Sequence, residues 1–222
     1  MPARVVCISY EIGAGGSEVG RLVAERLGFH YVNEEIIAEA AEKGGVVPEA
    51  LVDVEARKSL TDKIVEQLFW AGMIASTPNF SPAEFTGEPY RRLIMDVVRA
   101  TAERGEVVIV AHAAGMALAG QPGVLRASVT APQEFRARRL AESDGLELRA
   151  ATKVIRDGDL DRASYFKRFY DVPRELPTHY DLVVNTEALE ADHAAALIVQ
   201  AAGYLGQAEA PAEAEKAADT IV

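Results

Sequence analysis

Short runs rich in Val and Ile alternate with amphipathic stretches along most of the chain. Residues 4–9, built on Val5, Val6, Cys7 and Ile8, are too short and too β-branched for a helix and read as a buried strand. Residues 17–27 switch to helical spacing: Val19, Leu22, Val23 and Leu27 share one face, Ser17 is placed to cap the start, and Gly28 ends the run. The same two signatures recur. Strands are expected at 29–32, 106–111, 124–130 and 181–185, and helices at 33–42, 48–73, 89–103, 132–142, 146–156, 160–170 and 191–202. Residues 76–89, with three prolines and a glycine, read as a loop long enough to cover a substrate. Strands alternating with helices imply a parallel sheet covered on both faces, with ligands outside the carboxyl ends of its strands.

One such end carries Ser9-Tyr10-Glu11-Ile12-Gly13-Ala14-Gly15-Gly16-Ser17. A strand running through a glycine-rich turn into a helix leaves unpaired N–H groups and a positive dipole end facing one small volume, which suits an anion. Glycines let the backbone approach that anion and adopt positive φ. Against the phosphate-loop pattern G-x-x-x-x-G-K-[ST], Gly15 takes the last glycine and Ser17 the magnesium-binding hydroxyl. Tyr10 stands at the first glycine, however, and Gly16 at the lysine. A plain tight turn demands fewer glycines than this segment contains.

With 222 residues the chain is expected to build a single domain over 1–205. The Ala- and Glu-rich residues 206–222 are expected to be a disordered tail. No apolar stretch is long enough to span a bilayer and no secretory leader is evident, so a cytoplasmic location away from membranes is expected. The single cysteine, Cys7, excludes a disulfide framework and reads as a buried, inert thiol. A net charge of −11 argues against a nucleic-acid partner, because binding a long polyanion relies on a basic surface. A nucleotide needs only a few converging arginines. The chain has 17 arginines against 6 lysines, and eight of those arginines lie within 136–174. Arg136 and Arg139, and again Asp159 and Arg162, are spaced to share a helix face. Phosphoryl transfer asks for cations of this kind around the transferring group.

The turn 8–17, the run 107–114, the segment Phe135-Arg-Ala-Arg-Arg139, the motif Asp159-Leu-Asp-Arg162 with Tyr165, and the segment 180–186 together resemble the cytidylate kinase-like family, related to the P-loop nucleoside monophosphate kinases. The resemblance implies a nucleotide-kinase-like domain, a three-layer α/β sandwich with a five-stranded parallel sheet, helices on both faces and a helical lid, with residues 33–104 around the acceptor and 132–170 as the lid-like helices. It further implies ATP with Mg2+ as donor, CMP or a related monophosphate as acceptor, and phosphoryl transfer between them. Gly13, Ala14, Gly15, Gly16, Ser17 and Glu18 would then hold the donor phosphates, with Ser17 on magnesium. Arg136, Arg139 and Arg156 would neutralise the transferring group, while Glu11, His112, Asp159 and Arg162 would serve the acceptor, Arg162 also counting among the catalytic cations. Glu11, an acid beside a phosphate site, would hold magnesium or orient Arg162.

At Tyr10, Ser17 and His112 the family often carries arginine, and each hydrogen bond to a charged partner contributes about 1.5–3 kcal/mol. That departure raises an alternative, a nucleotide-binding or sensing module of impaired catalysis on the same fold. A dinucleotide-dependent oxidoreductase is a third reading, since Gly13-Ala14-Gly15 opens like G-x-G-x-x-G and Glu34 follows at about the distance of a ribose-binding acid. Glu18 at the third glycine position weighs against it. Phe69, Trp70 and Met73 read as core before base pocket, and His30, His179 and His193 as structural. The sequence leaves the oligomeric state open.

Overall fold

A computed structural model describes residues 3–33, 37, 88–111, 113–173 and 175–205, and the side chains of all of these except 88–94. The expected helix at 48–73, the loop at 76–87, all of the helix at 33–42 except Asn33 and Ile37, Phe69, Trp70, Met73, His112 and the tail lie outside the described residues.

Five strands form one sheet: β1 Val5–Tyr10, β2 His30–Asn33, β3 Val107–Val110, β4 Val124–Thr130 and β5 Leu182–Asn185. All pairs are parallel and the order is β2-β3-β1-β4-β5. The chain leaves β1, places β2 two positions away, fills the gap with β3, and then continues on the other side with β4. The winding therefore reverses at β1, and a crevice opens at its carboxyl end. β1 is held along its whole length by β4, from Val5 opposite Val124 to Tyr10 opposite Val129.

The described helices are α1 Gly16–Leu27, α2 Glu88–Arg104, α3 Ala114–Ala117, α4 Gln133–Asp144, α5 Leu148–Tyr170 and α6 Ala191–Tyr204. Alternation along β1 sends Val6, Ile8 and Tyr10 into a core with Val19 and Val23 of α1 and Ile198 of α6. Val5 and Cys7 face the other core, with Val97 and Val98 of α2 and Leu118 after α3. Helices thus cover both faces, as the alternating pattern requires. Burial pushes the Cys7 thiol up to about 12, which leaves it protonated and inert at neutral pH.

Two expectations are corrected. The helices foreseen at 146–156 and 160–170 are one continuous helix, α5, of 23 residues. Gly158 does not break it; a Cβ there would lie 2.4 Å from Ile12 Cδ1, so the glycine admits a side chain from the turn after β1. Ile12 joins Ala137, Leu140, Ala151 and Ile155 in a small third core that fastens the α4–α5 hairpin to that turn. The cap of α1 is also different. Gly15, at φ 79°, occupies the cap position, and Ser17 falls inside the first turn of the helix. The short α3 and a 3-10 turn at Pro177–His179 carry no periodicity that would have announced them.

Candidate functional site

The turn between β1 and α1 is held by its carbonyls. Arg162 Nη1 donates to the Tyr10 carbonyl at 3.0 Å, Arg136 Nη1 to that of Ile12 at 3.2 Å, and Thr186 Oγ1 to that of Ala14 at 2.8 Å. Three alternate carbonyls are therefore satisfied by side chains packed around the turn. Gly13 and Gly15 both take φ 79°, and a Cβ on Gly13 would meet the Arg136 carbonyl at 2.7 Å. The α1 ladder begins with Val19 N–H donating to Gly15 O at 3.1 Å. The N–H groups of Gly16, Ser17 and Glu18 precede that bond and have no backbone acceptor among the described residues. Carbonyls tied off by side chains, N–H groups without backbone acceptors and a helix start are the features that suit an anion-binding nest.

At the lysine position the reason for glycine is steric. A Cβ on Gly16 would lie 2.3 Å from both Cβ and Cγ of Tyr10, whose side chain is buried. Tyr10 at the first-glycine position and Gly16 at the lysine position are thus two halves of one packing solution.

Around the nest stand two buried guanidinium groups. Arg136 makes a bidentate pair with Asp159 at 3.0 and 2.9 Å, donates from Nε to Ala131 O at 2.8 Å, and lies 3.4 Å from Glu11 Oε2. Glu11 in turn accepts from Thr130 Oγ1 at 2.6 Å and Ala131 N–H at 3.4 Å. Glu11 therefore orients Arg136, which corrects the expectation that it would orient Arg162. Arg162 pairs with Glu175 through Nε and Nη2, both at 2.7 Å, and donates to Ser9 Oγ at 2.8 Å. Tyr180 Oη donates to the same Glu175 carboxylate, and the Arg162 guanidinium lies 5.0 Å over the Phe166 ring. Asp159 and Arg162, adjacent on one helix face, thus serve different partners.

Two further arginines face outward. Arg139 reaches the turn from α4: a Cβ on Gly15 would fall 2.6 Å from its Nη1 and 2.7 Å from its Nη2. Its Nη2 donates to Glu18 Oε2 at 2.6 Å. Beside it an open cleft of about 550 Å³ is lined by Leu22, Phe135, Thr186, Glu190 and Asp192 among others. Arg156 keeps 64% of its side chain exposed and touches only Asp157, at 3.5 Å, among described residues. The Asp157 carboxyl is held below the usual carboxylate range first by its hydrogen bond to Lys153, against the opposing effect of desolvation, and then by the charges of Lys153 and Arg156. The structure thus gathers Gly13 to Glu18, Glu11, Arg136, Arg139, Asp159 and Arg162 at the β1 end.

Magnesium in phosphoryl-transfer sites rides on substrate phosphates and needs only one or two protein oxygens. Among the described residues no three of His, Cys, Asp and Glu converge on a metal position. Ser17, in the first turn of α1, and the half-buried Glu11 fit that sparse mode. Glu175, Tyr180, Thr130 and Thr186 were missed as site residues. Tyr180 and Thr186 lie in the segment 180–186 that carries the resemblance, and Thr130 and Thr186 sit at the carboxyl ends of β4 and β5, where crevices form; Glu175 has no such signal. No described helix is long and apolar enough to cross a membrane.

Over residues 5–188 the chain matches the cytidylate kinase-like family. It is 27% identical over 183 residues to a cytidylate kinase of Ignicoccus hospitalis, covering 82% of this chain and 89% of that one. A cytidylate kinase of Natronomonas pharaonis is 24% identical over 198 residues, covering 89% and 88% respectively. An uncharacterized protein from Eubacterium ventriosum shares the fold, with a TM-score of 0.65 at 20% identity over 89% of this chain and 97% of that one.

Proposed function

The chain belongs to the cytidylate kinase-like family, and from that premise we propose that it transfers a phosphoryl group from ATP to CMP or a related nucleoside monophosphate. The observation that carries the reading is the nest at the β1 end, whose carbonyls at Tyr10, Ile12 and Ala14 are tied off by Arg162, Arg136 and Thr186. That arrangement leaves N–H donors and the α1 dipole for the β- and γ-phosphates. The cleft between Leu22 and Phe135 is of a size for the donor base. Magnesium, carried on those phosphates, would spread the charge that develops on the bridging oxygen, with Ser17 as its protein oxygen.

The arginines divide the work. Arg139 and, from farther along the hairpin, Arg156 neutralise the donor phosphates as the hairpin approaches. Arg136 and Arg162 fix the turn and hold Asp159 and the β1 end where the acceptor must lie in line with the transferring group, each adding positive charge to the crevice. His112, two residues after β3 in the sequence and outside the described residues, is assigned to the acceptor on the family resemblance alone.

A second reading has its own support. With Gly16 at the lysine position and both buried arginines engaged by acids, the fold would also serve a module that binds a nucleotide without turning it over. Calorimetric titration with ATP and with each monophosphate, paired with a coupled ADP-release assay, separates the two. Turnover with CMP or UMP supports the kinase; binding without turnover across all monophosphates removes it and leaves the module.

A further inference from the structure

A phosphate nest without a lysine still has to meet the charge of a triphosphate. At position 16 a lysine has no room, because its Cβ would collide with the buried Tyr10 at 2.3 Å. Arg136 and Arg162 are engaged on the turn's carbonyls and on acids, so among the described residues the solvent-accessible cation beside the turn is Arg139, whose two terminal nitrogens lie within 2.7 Å of where a Cβ of Gly15 would be. It arrives there by design of the helix: one turn earlier on α4, Arg136 is locked to Ala131, Ile12 and Asp159, which fixes the root of the helix against the nest.

Arg139 is not idle in the empty protein. Glu18 holds it through the 2.6 Å bond, and Glu18 sits in the first turn of α1, where free N–H groups and the helix dipole favour a negative group. A carboxylate therefore stands beside the place that a phosphate would take, on the same guanidinium.

Resting on the donor-phosphate reading above, we infer that Arg139 stands in for the absent loop lysine and that Glu18 is its resting counter-ion, displaced by the incoming phosphates. A guanidinium fork serves a carboxylate and a phosphate with the same geometry, so the exchange conserves charge-assisted hydrogen bonds. Arg139 is 34% and Glu18 56% exposed, so the exchange needs only side-chain rotation. Glu18 is then a positioning residue with a cost: it keeps Arg139 over the turn and competes with the ligand. The affinity of the nest is set by that competition.

The test is calorimetric titration of the full chain with Mg-ATP and, as a probe without a base, inorganic tripolyphosphate. Arg139→Ala should weaken both by about ten- to a hundredfold, the weight of hydrogen bonds to a charged group, and Arg139→Lys should recover part of the loss. Glu18→Gln should tighten both by about two- to fivefold, the scale of an exposed ion pair. On the Arg139→Ala background Glu18→Gln should change nothing. A purely structural pair would give neither the tightening nor that dependence. The inference is overturned if Glu18→Gln weakens binding, or if its tightening persists without Arg139, which would mark a general effect of charge. Binding that is normal but indifferent to both residues overturns this inference alone. A chain that binds neither ATP nor tripolyphosphate overturns the donor-phosphate reading beneath it. Both side chains are at the surface, so circular dichroism of the variants should match that of the parent.

Discussion

Four arginines on one helical hairpin divide into two pairs. Arg136 and Arg162 keep 4% and 8% of their side chains in solvent; Arg139 and Arg156 keep 34% and 64%. The buried pair is spent on the protein's own acids and carbonyls, while the outer pair meets single carboxylates at the rim. Desolvation decides the difference. A guanidinium deep in the structure needs partners for all its donors, so it becomes an architectural bolt; one at the rim can change partners, because water covers the interval. The lesson is that a cation's charge and helical spacing do not tell whether it is available to a ligand. The acid that holds it and the water that reaches it do.

The sharpest way to break that contrast is Arg162→Ala. It would leave Glu175 without its cation and take one donor from the Tyr10 carbonyl and one from the Ser9 hydroxyl, and should cost about 3–5 kcal/mol in chemical denaturation. A loss below about 1 kcal/mol, on the scale of a surface pair, would erase the division. Arg136→Lys comes next. Lysine keeps the charge but loses the fork that grips Asp159 with two bonds, so stability should fall by about 1–3 kcal/mol while Arg139→Lys should leave it nearly unchanged. Gly16→Ala probes the nest itself, and overpacking against Tyr10 should cost about 1–3 kcal/mol; pairing it with Tyr10→Ala should return much of that, as measured by thermal melting. Arg156→Ala should shift stability by less than about 0.5 kcal/mol, so any loss of turnover it causes reports on chemistry alone.

Most of the sheet was legible because β-branched runs have few other uses. β4 spans Val124–Thr130 as the pattern reads, and the other described strands differ from expectation by about one residue at an end, where fraying and pairing decide the boundary. The expected helices at 146–156 and 160–170 join into one because Gly158, which lies between them, admits a neighbour and does not end a helix, and that neighbour, Ile12, is far away in sequence. The site was legible in part for the same reason. Local composition announced the glycine turn. The partners of the arginines did not announce themselves, since Arg139 and Glu18 are 121 positions apart and Arg162 finds Glu175 only after the chain has turned back from α5. Acids and bases of that kind pair by tertiary packing, for which a single sequence carries no period.

The central position of β1 also sets an order of events during synthesis. Its two neighbours begin at Val107 and Val124, and the side chains that shape the turn after it come later still, at Arg136, Arg162 and Thr186. Closing loops of that length is slow, and a ribosome delivers the chain amino end first. The first strand made therefore waits, unpaired, until about half the chain exists, and its edges are open to wrong partners meanwhile. The nest after it takes shape only when residue 186 has emerged. On the proposed function, binding competence is in that sense a certificate of completed folding: a truncated or half-folded chain has the glycines but not the side chains that shape the turn.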